Sequence, residues 1–206
     1  KAEDQKPRHC VKFIVMARQK FVLSSLLLSS LLTLSCSPSL FKVKPATELP
    51  PLPANSRTSE SSGLTFRVAP LLTDEELQDL FEANLPEAGI LAVRLEMNLQ
   101  SGAPIELKRA RFVVRDSQNR SWKLMSSKQA VSRIMKADGI KLYNPHGKKQ
   151  FESDLGAYTF DTKTPLDSNR SGFLFFQTPD KRPVDTSQKL TLVIERLPQP
   201  TSIPLN

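Results

Sequence analysis

The chain has 206 residues and a formal net charge of +8, from 29 Lys and Arg against 21 Asp and Glu, a length typical of one or two domains. Six of the basic residues and only two of the acidic ones lie before residue 36, which leaves 23 basic and 19 acidic residues for the rest. Because these later basic residues mostly alternate with acidic or apolar neighbours, the charge pattern does not favour nucleic acid as a partner.

The cysteine and histidine content restricts metal and redox chemistry. Cys10 and Cys36 are the only cysteines, and after Cys36 the sequence contains a single histidine, His146. A disulfide within this later part, a thiolate metal site and a multi-histidine metal site are therefore excluded there. The sequence also lacks the G-x-S-x-G, P-loop, G-x-G-x-x-G and H-E-x-x-H motifs, so we predict no catalytic, metal or cofactor-binding residue and no cofactor.

The beginning of the chain contains an uncharged apolar stretch, residues 21–35, preceded by Arg18 and Lys20. A membrane-spanning helix needs roughly 20 apolar residues, whereas the core of a signal peptide needs about 7–15. Met16 opens a natural leader, so we interpret residues 1–15 as a non-native upstream extension and predict a lipoprotein signal peptide at 16–35. A plain secretory peptide and an uncleaved anchor are the alternatives.

The stretch ends in Thr33-Leu34-Ser35-Cys36, which resembles a bacterial lipobox, although Thr33 occupies a position where Leu is usual. The resemblance implies that Cys36 carries acyl chains and becomes the new N-terminus, and that these chains anchor the protein to a membrane. Ser37, in place of Asp, resembles signals that permit transfer to the outer membrane. We therefore expect a lipid-anchored location in the bacterial cell envelope, on the outer membrane and facing the periplasm or the exterior.

Residues 36–63 contain five prolines and many Ser and Thr, with little apolar periodicity. Such a composition buries too little apolar surface to fold alone, so we predict a disordered Pro/Ser-rich tether. A proline-rich ligand motif at "ELPPLPA" is the alternative.

Residues 64–197 are predicted to form the folded domain. Five segments alternate apolar and polar residues, as half-buried strands do: "LTFRV", "AVRLEMNLQ", "RARFVVRD", "SWKLM" and "KLTLVIERL". In "SWKLM", Trp122 and Leu124 are expected to share a face. "GFLFFQ" is apolar on both faces and predicts a central strand. Capping signals at Thr73 and Ser126 predict the beginnings of two short helices. Residues 138–165 are hard to assign, apart from a strand-like "AYTF". Residues 198–206 are predicted to be a disordered tail. The pattern favours a mainly β, antiparallel Ig-like β-sandwich with two short peripheral helices.

Two stretches of the domain resemble a recurring kind of exported bacterial domain of unknown function with an Ig-like β-sandwich. In the first stretch the matching residues are Val93, Leu95, Asn98, Ser101, Pro104, Ile105, Phe112, Val114, Asp116 and Trp122. In the second they are Leu166, Gly172, Phe173 and Phe176, while Ser168-Asn169 replaces a usual glycine. The resemblance spans residues 64–197 and implies a fold and an envelope location, but no catalytic residues.

Three functions follow as hypotheses. The first is a non-enzymatic binding or structural module that engages another envelope protein, with no nucleic acid and no identified small-molecule substrate. Its mixed-charge sheet face, which includes Arg94, Glu96, Arg111, Arg115 and Glu195, is either plain surface or a protein-binding face. The second is a carbohydrate- or cell-wall-binding module with aromatic candidates Trp122, Tyr143 and Tyr158. The third is an envelope hydrolase that uses His146.

Overall fold

The computed structural model describes residues 41–53, 56–100, 102–140 and 144–206. The element boundaries are β1 Arg57–Ser61, β2 Leu64–Leu71, α1 Asp74–Phe81, β3 Ile90–Leu99, β4 Arg111–Asp116, β5 Ser121–Met125, α2 Ser127–Ala137, α3 Pro145–Tyr158, β6 Asn169–Gln177, β7 Leu190–Glu195 and β8 Thr201–Pro204. A single 3₁₀ turn, Ala46–Glu48, precedes β1.

The eight described strands form one sheet in the order β1-β2-β3-β6-β5-β4-β7-β8, and every neighbouring pair is antiparallel. The two end strands, β1 and β8, also contact each other, so the sheet is nearly closed. The prediction of a mainly β, antiparallel domain is confirmed. The prediction of an Ig-like sandwich is not, because β5 pairs with β4 at residues 121–122 and with β6 at residues 123–125, which joins all the strands.

Strand β6 separates two apolar clusters, as the two-faced pattern of "GFLFFQ" predicts. Leu174 and Phe176 lie inside the curled sheet, in a cluster that includes Trp122. Phe173 and Phe175 lie on the opposite face, in a cluster to which all three helices contribute. The prediction of a central strand is confirmed, because β6 has β3 on one side, β5 on the other and buried side chains on both faces.

The two predicted helices begin at the predicted caps. The Thr73 hydroxyl accepts a hydrogen bond from the Glu76 backbone N–H, and Ser126 and Gln129 form a reciprocal capping box. The third helix, α3, lies in the stretch that the sequence left hard to assign. The first two residues of "AYTF" end this helix, and Thr159 forms only an isolated bridge with Phe173. Within the described ranges, no helix is long and apolar enough to cross a membrane.

The predicted tether is ordered over most of its described length. The Phe41 ring stacks on Phe151 of α3 with ring centroids 5.0 Å apart. The Lys44 backbone N–H donates to the Leu80 carbonyl at 2.9 Å, and its ammonium pairs with Asp79 at 2.8 Å. The segment therefore packs on the helices, and β1 extends the sheet. The prediction of a disordered tether over 36–63 is wrong for 41–53 and 57–61, because isolated apolar residues such as Phe41 find a preformed partner surface.

The last residues also differ from the predicted disordered tail at 198–206. Strand β8 pairs with β7, and Ile203 and Leu205 are buried in the interior cluster. Pro204 makes this strand hard to predict from the sequence, because proline is disfavoured within strands. It is tolerated because it lies at the last position of a four-residue strand, where a missing N–H costs little.

The hairpin between β4 and β5 is organised by one buried carboxylate. Asp116 has a fully buried side chain that accepts hydrogen bonds from the backbone N–H groups of Gln118 and Arg120, from Arg120 Nε and from Trp122 Nε1, at 2.8–3.3 Å. Burial alone would raise the pKa of Asp116, but these four hydrogen bonds outweigh it and the pKa lies below its ordinary value.

Replacing Asp116 with Asn is expected to destabilise the domain by about 2 kcal/mol at pH 7, because an amide NH₂ would face at least one donor and the charge-assisted bonds would be lost. The folded-state pKa is lowered, so this stabilisation is present above the unfolded-state pKa of about 3.9 and is lost as the pH falls through the folded-state pKa. Urea unfolding of the wild type and of Asp116→Asn, at pH 7 and at pH 3, measures the difference in their free energies of unfolding. The exposed Asp167→Asn is the control, and a difference that does not shrink at pH 3 would contradict the assignment.

Candidate functional site

The predicted lipidation site, Cys36, lies outside the described residues, and it stays a prediction. His146 is described: it is exposed in the first turn of α3, and its backbone N–H donates to Asn144 Oδ1 at 3.0 Å. The carboxylates nearest to it in sequence contact other groups, since Glu152 lies 3.8 Å from the Lys148 ammonium and Asp154 accepts from Gln150 at 2.7 Å. The described residues contain no cluster of three or more His, Cys, Asp or Glu side chains that could hold a metal.

The two aromatic candidates that the structure describes, Trp122 and Tyr158, do not form an accessible platform. Trp122 is 1% exposed and Tyr158 is 5% exposed, both within apolar clusters. Tyr143 lies outside the described residues. The two described aromatic candidates therefore stabilise the core and leave no flat ring surface on which a sugar could stack.

The mixed-charge sheet face is largely self-paired. Glu195 lies 3.5 Å from both Arg111 and Arg115, and Arg67 pairs with Glu96 at 3.0 Å. Arg94 donates to the Pro50 carbonyl and lies 6.0 Å from the centre of the Phe173 ring, so the ordered segment before β1 covers it. The face carries positive and negative side chains that pair with each other, so it has no electrostatic preference for one class of partner.

A second surface has a strong electrostatic preference. A cleft of about 490 Å³ lies between β5, the outward side of α2 and the loop after β6, and we call it the basic cleft. Its lining contains five cationic side chains and, among the described residues, no carboxylate. The lining residues are Lys123, Leu124, Met125, Lys128, Gln129, Ser132, Arg133, Lys136, Gln177 and Lys181.

The amphipathic pattern of α2 places its cations in the cleft. Ala130, Val131, Ile134 and Met135 are buried against the sheet, so Lys128, Ser132 and Lys136, which lie four residues apart, share the opposite side. None of the four lysines of the cleft lies within 4.0 Å of a carboxylate in the part of the chain that the structure describes. Their charge is therefore uncompensated by direct pairing, and the cleft should attract anions.

Leu124 adds an exposed apolar side chain to this basic surface. It is the one large hydrophobic residue that is exposed among the described residues, at 42%. Trp122 and Leu124 pair with Val114 and Phe176, which both belong to the interior cluster. The register therefore agrees with the prediction that the two residues share a face, but Leu124 is exposed on it. Beyond Trp122, β5 continues along β6 and no longer pairs with β4, so Leu124 has a paired strand on the β6 side only.

Arg133 fixes the far wall of the cleft. Its guanidinium donates to the Ala88 carbonyl at 2.9 Å and to the Lys181 carbonyl. The Thr178 hydroxyl donates to the Arg182 carbonyl at 2.8 Å, and the Lys181 backbone N–H donates to the Thr178 carbonyl at 3.1 Å. These bonds hold the backbone of Lys181 at a positive φ of 60° and keep its side chain beside α2.

Two other clefts lack this concentration of charge. One, of about 360 Å³, lies near Arg57 and Glu76 and is lined mainly by small and apolar residues. The other, of about 450 Å³, lies beside Asp161 and Lys163. Each contains one acidic and one basic side chain, so neither selects a ligand by charge.

Sequence reasoning missed the basic cleft, although part of its signal was readable. The spacing of Lys128, Ser132 and Lys136 follows from the predicted apolar side of α2. The positions of Lys123, Gln177 and Lys181 depend on the pairing of β5 with β6, which no local pattern specifies. Comparisons of this chain with protein-family models, with curated proteins and with solved structures found no match.

Proposed function

We propose that this chain is a lipid-anchored, non-enzymatic protein of the bacterial cell envelope, and that its domain binds an anionic envelope component through the basic cleft. The observation that carries the proposal is the charge of the cleft, where five cations line one concave surface beside an exposed leucine. A location on the outer membrane, facing the periplasm or the exterior, is part of the proposal and rests on the lipobox-like Thr33–Cys36 sequence and Ser37.

We further propose that the nearly closed sheet is an Ig-like β-sandwich joined through β5. The strand order supports this, because β2-β3-β6-β5 and β4-β7-β8 correspond to the A-B-E-D and C-F-G sheets of an Ig constant-type domain. Only two residue pairs, Val114–Trp122 and Arg115–Ser121, link the two halves at β4 and β5. Strand β1 would then be an added edge strand.

Two alternative functions have less support. A carbohydrate-binding module needs an exposed aromatic platform, and Trp122 and Tyr158 are buried. A hydrolase needs an activated nucleophile near His146, whose neighbouring carboxylates contact Lys148 and Gln150. An envelope protein that binds the cleft would have to present acidic side chains to it.

The anchor is tested by metabolic labelling with a fatty acid in a bacterial host. The wild-type chain is expected to be labelled at Cys36, and Cys36→Ala is expected to lose the label and accumulate as a longer precursor. Ser39→Ala is the control, because it lies in the same segment after the cysteine and outside the lipobox-like sequence. Equal labelling of wild type and Cys36→Ala would contradict the anchor.

The binding role of the cleft is tested by sedimentation with isolated cell-envelope fragments. The protein used is the chain from residue 36 onward with Cys36→Ser, which retains all eight strands and both apolar clusters. We expect it to sediment with the fragments, and we expect Lys123→Glu/Lys128→Glu/Lys181→Glu to remain in solution. Lys108→Glu/Lys163→Glu/Lys189→Glu changes the net charge equally at exposed positions outside the cleft, and equal loss of binding in both triple variants would contradict the role of the cleft.

A further inference from the structure

The chemical class of the ligand can be inferred from the side chains of the basic cleft and from the length of chain before the domain. We infer that the basic cleft docks on the anionic phospholipid headgroups of the membrane that holds the anchor. This inference deepens the proposed function and rests on it. Three observations carry it: the unpaired cations, the exposed Leu124 among them, and the packing of Phe41.

The first observation is the uncompensated charge. Lys123, Lys128, Lys136 and Lys181 are exposed and have no carboxylate partner within 4.0 Å among the described residues. Each Lys or Arg held near an anionic membrane surface strengthens binding by about fivefold. A surface of many identical headgroups can satisfy several such lysines at once, without requiring one rigid ligand shape.

The second observation is Leu124. An apolar side chain that is 42% exposed beside Lys123 and across the cleft from Lys128 gives this surface the composition of an interfacial membrane-binding site. Its side chain can enter the boundary between headgroups and acyl chains, while the lysines extend their ammonium groups to the phosphates. A soluble anion would gain nothing from this leucine.

The third observation is the shortness of the connection. Residues from Phe41 onward pack on the domain, and the Phe41 ring stacks on Phe151 of α3. Five residues of extended chain reach at most about 18 Å, so a lipid on Cys36 keeps Phe41 within that distance of its own attachment point. Phe41 belongs to the apolar cluster that the inward residues of α2 also enter, so the anchor would keep the helix-bearing part of the domain within reach of the membrane.

The test uses the same chain from residue 36 onward with Cys36→Ser, so that no acyl chain contributes. Binding is measured by co-sedimentation with vesicles of phosphatidylcholine alone and with vesicles that contain phosphatidylglycerol. We expect binding to the phosphatidylglycerol vesicles only, weakening as salt is added. The triple variant Lys123→Glu/Lys128→Glu/Lys181→Glu should bind at least about 100-fold more weakly, while the triple variant at Lys108, Lys163 and Lys189 should lose much less.

A second variant separates docking from general charge attraction. Leu124→Ala keeps every cation of the cleft and is expected to weaken vesicle binding about fivefold. No binding to phosphatidylglycerol vesicles, or an unchanged affinity of both the cleft triple variant and Leu124→Ala, would overturn the inference. If envelope fragments still bind the chain through the cleft while vesicles do not, the inference fails and the proposed function survives; if neither binds, both fail.

Discussion

The burial of β6 on both faces is the constraint on which the rest of the domain depends. Leu174 and Phe176 require a closed interior, and Phe173 and Phe175 require a second layer on the other side. The three helices and the segment that begins at Phe41 supply that layer. Because α2 uses its apolar side for this purpose, its lysines point outward beside β5, and the basic cleft is a direct consequence of how β6 is covered.

Two residues that matched the family resemblance have a physical role in this fold. Asp116 closes the β4–β5 hairpin by accepting from two turn amides, Arg120 and Trp122. Gly172 allows a close backbone approach, because a Cβ at that position would lie 2.6 Å from the Cα of Phe160. That approach lets the Phe160 N–H donate to the Phe173 carbonyl at 2.9 Å and brings its ring against Phe112. Both features serve the fold.

The sequence was informative where a pattern is local. The alternation of β3, the two-faced pattern of β6 and the caps at Thr73 and Ser126 could all be read directly, and they led to the antiparallel, mainly β architecture. Helix α3 was missed because its apolar side is thin and it contains two glycines. Phe41, β8 and the exposure of Leu124 were missed because each depends on how separate elements pack, which no local pattern records. Phe41 stacks on Phe151, β8 pairs with β7, and Leu124 lies where β5 leaves β4.

The proposed docking of the basic cleft on an anionic membrane places Leu124 at the membrane surface. It is tested most directly by attaching an environment-sensitive dye at Leu124→Cys in the chain from residue 36 onward with Cys36→Ser, where no other cysteine is present. We expect a blue shift of the dye on phosphatidylglycerol vesicles and no shift for a dye at Lys108→Cys, which does not line the cleft. A dye at position 124 that stays in water while the protein is bound to the vesicles would contradict docking through the cleft.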